Sequence, residues 1–378
     1  MERHIKAEVS AQAVGANMVA LGQLLGPATK FCAVVKSNCY GLGLGNLLAE
    51  ITNRADSLAV ATPAEAIELR DMGWSGEILL LLSSVAYCDD LQNRRGLAEL
   101  IEREITITLA SPSDVPLVAA AAERLGATAK VHVKIDTGMH RGGIGQGEAP
   151  ELVRQARSRS NLALGGIYTH FACADEKDLS FTRHQLDRFL ETVGMCGRRV
   201  GLTVHAANSA ATIRLPSSHL DMVRSGIAIY GYQPSEQSQA AIALRPALRL
   251  SARLMQVKEV SAGGRCGYGL THTFGRDGQV GLVPVGYGDG YLRSLSNKAT
   301  MRIRGKDVPV VGRVSMNQTI VDLTDVLQAR AGDEVEIISN DPAAPHSVEN
   351  LASLAGTISY ELITGLAGAT KFAMSGDS

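Results

Sequence analysis

The feature that most constrains this chain is a repeating alternation over its first two-thirds. Short aliphatic runs are separated by stretches rich in Ala, Leu, Glu and Arg. FCAVVK (31–36), SLAVAT (57–62), EILLLLS (77–83), EITITLA (104–110), KVHVKID (130–136), ALGGIYTH (163–170), LTVHAA (202–207) and SHLDMVR (218–224) read as strands. Between them, PAEAIELRDMG, SDVPLVAAAAERLG and EAPELVRQARSR read as helices. Apolar runs this short suit strands buried on both faces, as in a parallel sheet. Eight strands alternating with helices predict an α/β fold with an N-terminal (β/α)8, TIM-type barrel. Hydrophobic residues make up 45% of the chain but aromatics only 4%, so the core must be aliphatic.

After GYQPSEQ (231–237) the texture changes. RPALRLSARLMQVKEVS, GQVGLVPVGYGDGY, TMRIRGKDVPVVGRVSM, QTIVDLTDV and GDEVEIIS alternate apolar and polar residues, punctuated by Gly, Asp and Asn. The reading is a barrel over residues 1–236 and a mostly-β C-terminal domain over 237–378. A helix is expected near HSVENLASLAGTIS, and the tail AMSGDS is expected to be frayed. The opening AEVSAQAVGANMVALGQLLG reads as an amphipathic first helix, because Glu, Gln and Asn interrupt the apolar run a signal peptide would need. No run reaches the roughly 18 apolar residues of a membrane span, so a cytoplasmic protein is expected. Lys plus Arg is 37 against 38 for Asp plus Glu, which gives no support for nucleic acid or an anionic membrane as partner. Six cysteines (Cys32, Cys39, Cys88, Cys173, Cys196, Cys266) form no CxxC pair, arguing against a disulfide framework or a structural metal.

Polar residues fall at or just past the C-terminal ends of the expected barrel strands, where barrels build active sites from several strands at once. Lys36 closes FCAVVK, Arg141 follows KVHVKID, His170 closes GGIYTH, His205, Asn208 and Ser209 follow LTV, and Arg224 closes LDMV. A strand-end lysine that loses hydration can become nucleophilic enough for a Schiff base; a solvated lysine is the alternative. Asn208–Ser209 and Arg224–Ser225–Gly226–Ile227 read as anion-binding turns, and helix capping by Asn208 could coexist with that.

At these residues the chain resembles the alanine racemase family. VVKSNCYGLG resembles that family's pyridoxal 5′-phosphate (PLP) lysine motif. HAANSAATIR, VRSGIAIYGY, GYGLTHTF, VGYGDGY and GRVSMNQ follow in the family's order, with VHVKIDTGMHRGGI, THFACADE and TISYEL. The resemblance runs from about residue 4 to about residue 364. It implies a PLP barrel and a C-terminal β domain paired head-to-tail in a homodimer that acts on a small amino acid. Carried over residue by residue, Lys36 would hold PLP as a Schiff base, and Tyr268 of a partner subunit would be the second catalytic base. Arg224 would face the pyridine nitrogen, with His170 between it and that tyrosine. Tyr40, Ser209, Ile227 and Tyr360 would hold the phosphate in a turn shaped by Asn208 and Gly226. Arg141 would contact the ring's phenolic oxygen. Met316 would bind the substrate carboxylate from the partner, beside Asn317, and Tyr287, Arg293, Arg313 and Asp175 would line the approach to the site.

Racemisation takes a proton from one face of Cα and returns one to the other, so two bases on opposite faces serve it, Lys36 for the D enantiomer and Tyr268 for the L. A tyrosine titrating near about 10 needs nearby cations to serve at neutral pH. Without the motif, Tyr268 would read as a packed strand residue. Arginine at the pyridine nitrogen donates a hydrogen bond without protonating the ring, which leaves a weaker electron sink and disfavours transamination. Lys134 reads equally as an ordinary strand-end lysine or as a carbamylated one beside Arg141. Leu42 stands where relatives usually have histidine, and Asn317 where an acid is usual. The implied product is D-alanine, expected to supply peptidoglycan. A serine or broad-specificity racemase, a decarboxylase on the same two domains and a non-catalytic PLP carrier are the competing readings. The carrier lacks a C-terminal domain with Tyr268, and the decarboxylases carry a longer glycine-rich phosphate loop than this chain has.

Overall fold

The computed structural model describes residues 5–82, 96–197, 201–239, 241–369 and 373–375. Eight parallel strands close a barrel: Lys30–Val34, Ser57–Val60, Glu77–Leu80, Thr106–Leu109, Ala129–Asp136, Leu162–Tyr168, Thr203–His205 and Met222–Ser225. Each pairs with the next, and the last returns to the first with Arg224 opposite Cys32. Closure leaves the barrel wall with no open edge, and the short strand Ile144–Gly145 pairs with the overhanging end of Ala129–Asp136. Helices start where their caps are. Ser10 Oγ accepts from Ala13 N to open Ala11–Gly22, and Thr62 and Glu65 form a reciprocal capping box for Pro63–Asp71.

All eight strand runs expected from the sequence contribute a barrel strand, with shifted ends. The last residue of EILLLLS, and Cys88, lie outside the described residues. The expected strand 218–224 is shorter at its start. Pro216–Ser218 forms a 3-10 turn, Leu220 has a positive φ of 50°, and pairing begins at Met222. Proline fixes its own φ and the left-handed Leu220 breaks an extended run.

The termini add detail that the sequence reading lacks. Within the segment 1–236 read as barrel, Ile5–Val9 pairs antiparallel with Leu248–Arg253 in the C-terminal part of the molecule. Its IKAEV alternation, buried at every second residue, suits a sheet covered on one face rather than a barrel buried on both. The tail was expected to fray, yet Ala373–Ser375 adds to the same sheet, parallel to Ile5–Val9. Both ends of the chain therefore meet in one six-stranded sheet, completed by Glu334–Ile338, Thr300–Ile303 and Lys306–Pro309. A second, three-stranded sheet holds Gln256–Val260, Gly278–Val283 and Thr319–Asp322. The helical segment near 348 is two helices, Val348–Ala355 and Ser359–Ala369, and the second packs against residues 36–40 at the barrel mouth.

Candidate active site

The first barrel strand ends at Val34, and the chain then makes an uncommon turn. Ser37, Asn38, Cys39 and Tyr40 have φ of 53°, 54°, 56° and 55°, four consecutive L residues in the left-handed region. Each such residue costs roughly 1–2 kcal/mol, so the turn persists only because its surroundings hold it. Glu65 Oε1 accepts from Ser37 N at 2.5 Å, Asn38 Oδ1 accepts from Leu44 N at 2.6 Å, and Gly41 N donates to Ser37 O at 2.7 Å. The other oxygen of Glu65 accepts from Ala61 and Thr62 N, both at 2.9 Å. One carboxylate thus ties the lysine turn to the helix after the second barrel strand. The sequence carried a sign of this, since Glu65 is the third residue of a capping box, but not of its second task.

The turn delivers Lys36 to a cavity of about 1050 Å³ at the C-terminal face of the barrel. Lys134, Arg141, His170, Asn208, Ser209, Arg224 and Gly226 share its wall with Tyr40 and Tyr360. Burial and the nearby Arg141 guanidinium hold the Lys36 amine below the usual lysine value, against a weaker pull from Glu65. Burial, Arg141 and Arg224 bring Lys134 down to about 8, and its Nζ lies 5.9 Å from the Tyr168 ring centre. Four cationic side chains in one cavity wall call for an anionic occupant.

Arg224, 3% exposed, is held from several sides. Nη1 donates to His205 Nδ1 at 2.8 Å, and the two hydrogens of Nη2 are shared among Thr169 O at 2.7 Å, Ala206 O at 3.1 Å and His170 Nδ1 at 3.3 Å. Its guanidinium carbon stands 5.1 Å over the Tyr168 ring. No carboxylate pairs with it, and Nε has no acceptor among the described residues. Because a guanidinium only donates, His170 Nδ1 accepts and the imidazole hydrogen is on Nε2. Burial, then Arg224 and the other cations, keep His170 neutral, with its pKa well below the usual value.

At the other end of the cavity, Ser209 Oγ accepts from Gly226 N at 2.8 Å and Ala228 N at 3.4 Å. A Cβ on Gly226 would fall 2.2 Å from Tyr40 Oη, so this approach requires glycine. Asn208 Oδ1 caps Ser209–Arg214 by accepting from Ala211 N at 3.0 Å, the capping role weighed for it from sequence. Ile227 opens a 3-10 turn, so its N–H has no partner within that turn. Its side chain is fully buried, which leaves only the backbone to meet a ligand. The Tyr40 and Tyr360 rings lie 6.0 Å apart, and burial raises both phenols well above the usual value. Neither hydroxyl has a hydrogen-bond partner among the described residues, so two neutral donors remain for a ligand. These unengaged donors, the cations and the unengaged Arg224 Nε fit an anionic, phosphorylated cofactor such as PLP.

The remaining candidates are not brought to this cavity within one chain. Tyr268 is 71% exposed and Met316 56% exposed, and Tyr287, Arg313 and Asn317 are also at the surface. They are close to one another. The turn around Tyr268 packs on Gly312 and Arg313, where a Cβ on Gly269 would fall 3.0 Å from an Arg313 guanidinium nitrogen. Tyr287 N donates to Ser315 O at 3.0 Å, and Gly288 N to Met316 O at 2.7 Å. Arg293 starts a 3-10 turn whose neighbour Asn297 accepts from Gly312 N at 2.6 Å. Asp175 is exposed, near enough to Tyr360 to help raise its pKa.

Glu65, His132 and Tyr168 were missed as functional residues. Tyr168 stacks on His205 at 4.8 Å and 13°, walling the cavity beneath Lys134 and Arg224. The available signal was alternation, because His132 and Lys134 interrupt at period two a strand that otherwise reads as buried on both faces.

The fold and its motifs agree with known proteins. A sequence profile described as the alanine racemase N-terminal domain matches residues 9–234, and one described as its C-terminal domain matches 247–373. The alanine racemase of Desulfovibrio desulfuricans is 39% identical over 366 residues, 96% of this chain and 95% of that one. That of Methanococcus maripaludis is 36% identical over 367 residues, 95% of each. The crystal structure of alanine racemase from D-cycloserine-producing Streptomyces lavendulae matches with a TM-score of 0.92 at 35% identity, covering 100% of this chain and 98% of that one. The biosynthetic alanine racemase of Pseudomonas aeruginosa matches with a TM-score of 0.87 at 31% identity, covering all of both chains. With profiles and full-length relatives spanning both the barrel and the β domain, the chain belongs to the alanine racemase family.

Proposed function

We propose that this chain interconverts L- and D-alanine with bound PLP, using Lys36 on one face of the substrate and Tyr268 of a second copy on the other. The observation that carries the reading is Arg224, a buried guanidinium in the wall of the lysine-bearing cavity, with no carboxylate partner and no acceptor at Nε among the described residues. Bound PLP supplies the electron sink that makes the Cα hydrogen acidic. Lys36 Nζ, its pKa lowered by burial and Arg141, accepts and returns a proton on one face. Tyr268 Oη does so on the other, and His170 Nε2–H is the donor that stabilises its phenolate. Arg224 would donate a hydrogen bond to the ring nitrogen without protonating it, which would keep the electron sink weak and favour return of the proton to Cα. Arg141 orients the ring's phenolic oxygen. Tyr40, Ser209, Ile227 and Tyr360 would hold the phosphate, in the turn that Gly226 shapes.

The surface run of Tyr268, Met316, Asn317 and Tyr287 supports a head-to-tail homodimer, because these residues do not reach their own cavity. Met316 N–H then meets the substrate carboxylate from the partner, while Arg293, Arg313 and Asp175 flank the approach. The division between the barrel and the β domain near residue 236 belongs to this proposal, with Ile5–Val9 on the β side. The D-alanine made supplies peptidoglycan precursors in the cytoplasm, a reading supported by the P. aeruginosa relative being described as biosynthetic. No helix among the described residues is long and apolar enough to cross a membrane.

Incubation of the holoenzyme with each alanine enantiomer in D₂O tests the chemistry. Cα exchange with inversion from both, abolished in Lys36→Ala, is expected; a PLP absorbance without exchange overturns it. Mixing Lys36→Ala and Tyr268→Phe homodimers, each inactive, tests the shared site. Subunit exchange should restore about a quarter of wild-type activity, since half the dimers are mixed and each regains one complete site. No recovery would mean both bases come from one chain.

A further inference from the structure

Below the active site, a line of side chains runs down the barrel interior. Arg224 Nη1 donates to His205 Nδ1 at 2.8 Å, and His205 Nε2 lies 3.1 Å from His132 Nδ1. His132 Nε2 lies 3.5 Å from Glu77 Oε1. Glu77 is the first residue of the third barrel strand, so it stands at the opposite end of the barrel from Lys36. There it lines a separate cavity of about 330 Å³ with Thr106, Lys130 and His132, and Thr106 Oγ1 donates to it at 3.4 Å.

The hydrogens in this line can be assigned by elimination. Arginine only donates, so His205 Nδ1 accepts and its single hydrogen is on Nε2. That hydrogen points at His132, so His132 Nδ1 accepts and its own hydrogen is on Nε2, facing Glu77. Both rings are neutral, since burial and Arg224 push His205 well below the usual value and His132 down to about 3. The line is built rather than incidental. The His132 ring occupies space left by two consecutive glycines, and a Cβ on Gly166 would fall 2.6 Å from its Cε1. His205 is clamped by the Tyr168 ring, whose hydroxyl is bonded to Thr108 Oγ1 at 2.8 Å.

Arg224 sets this order from one end, and the group at the far end can reinforce or oppose it. A His132 hydrogen moved to Nδ1 would face the His205 Nε2 hydrogen. Relief then needs His205 to carry its hydrogen on Nδ1, against Arg224 Nη1. One misplaced hydrogen would therefore cost Arg224 a hydrogen bond. The Glu77 carboxylate, 3.5 Å from His132 Nε2, is the acidic group at that end and favours a hydrogen on Nε2. We infer that Glu77 is a positioning residue for Arg224, acting through His132 and His205 by fixing which nitrogen of each imidazole carries the hydrogen. The inference rests on the reading of Arg224 as the group that faces the cofactor nitrogen.

The test uses holoenzyme labelled with ¹⁵N-histidine, whose ring nitrogen shifts separate protonated from accepting nitrogens, with signals assigned through a His132→Gln variant. In the wild type, His132 and His205 should each show a protonated Nε2 and an accepting Nδ1. Glu77→Leu removes the acceptor and covers the site from water, so His132 should show both forms. Racemisation kcat should then fall about tenfold, the effect of weakening one hydrogen bond to a charged donor, with KM changed less than about twofold. Glu77→Gln keeps an acceptor oxygen and should restore both spectrum and rate. A wild-type His132 protonated on Nδ1, a Glu77→Leu rate within about twofold of wild type, or a Glu77→Gln enzyme as slow as Glu77→Leu overturns the inference. The wild-type spectrum needs no racemase activity, so failure of the inference and failure of the proposed reaction are told apart.

Discussion

Glu65→Ala should separate the position of the catalytic lysine from its chemistry. Four successive left-handed residues, Ser37 to Tyr40, store roughly 4–7 kcal/mol, with Asn38 at the low end because asparagine tolerates this region. Glu65 opposes that strain through one bond to Ser37 N and two to the start of its own helix. The Ser37 bond is solvent-exposed, so its charge assistance is discounted to about 1–1.5 kcal/mol. Losing the capping box adds about 1 kcal/mol. The variant should therefore lose about 2–2.5 kcal/mol of stability, and the productive turn should be about tenfold less favoured. Racemisation kcat should fall by about that factor, and the absorbance of the lysine-bound cofactor should weaken at limiting PLP. Glu65→Gln has one acceptor oxygen for three N–H groups and should lie between the two. Thermal unfolding, PLP titration and steady-state racemisation measure these effects. A Glu65→Ala enzyme with wild-type kcat and unfolding temperature would refute the reasoning. The turn would then be held by Asn38 Oδ1 and its own backbone bonds alone.

Arg224→Glu should protonate the ring nitrogen and raise the number of transaminations per racemisation; an unchanged ratio, measured by loss of the lysine-bound cofactor during turnover, counts against a limited electron sink. His132, His170 and His205 are neutral in the fold with pKa values below the unfolded value of about 6.5, so below that pH the unfolded chain binds more protons. The histidine contribution to folding stability should hence be flat above about pH 6.5 and fall below it, by up to about 1.4 kcal/mol per pH unit for each histidine; His132→Gln should flatten the acid-side slope of a pH series of denaturant titrations by one such step. Asn317→Asp restores a charge beside the position proposed for the substrate carboxylate and should change KM for alanine and the inhibition constant of a cyclic alanine mimic; identical constants would show that Asn317 does not face the substrate.

The barrel was legible because each strand run is short, aliphatic and followed by a helix signal, and because its chemical residues stand at strand ends. Lys36, His170, Asn208, Ser209 and Arg224 share one cavity, as their positions after the strands implied. What was hidden depends on contacts distant in sequence. Nothing local in IKAEV says that its partner is Leu248–Arg253, more than two hundred residues away. AMSGDS looked like a loose end because a strand of three residues has no periodicity, and only the edge offered by Ile5–Val9 gives it a place. The left-handed turn after Lys36 was equally hidden. Ser, Asn, Cys and Tyr do not announce positive φ, and only the glycines at 41 and 43 mark unusual backbone nearby.

The two termini and the active site are linked by this topology. Both ends pair in the six-stranded sheet, and Ser359–Ala369, which precedes the last strand, brings Tyr360 against Tyr40 at the barrel mouth. The tyrosine end of the cavity is thus completed by residues from opposite ends of the sequence. Neither the barrel segment nor the β segment holds both phenols. Under the proposed dimer the same logic extends across two chains, since Lys36 and Tyr268 are each in place only when their own domain is folded and the partner is docked. A site divided in this way has no competent half, so an isolated barrel could retain the cation-lined cavity and still lack the second proton carrier.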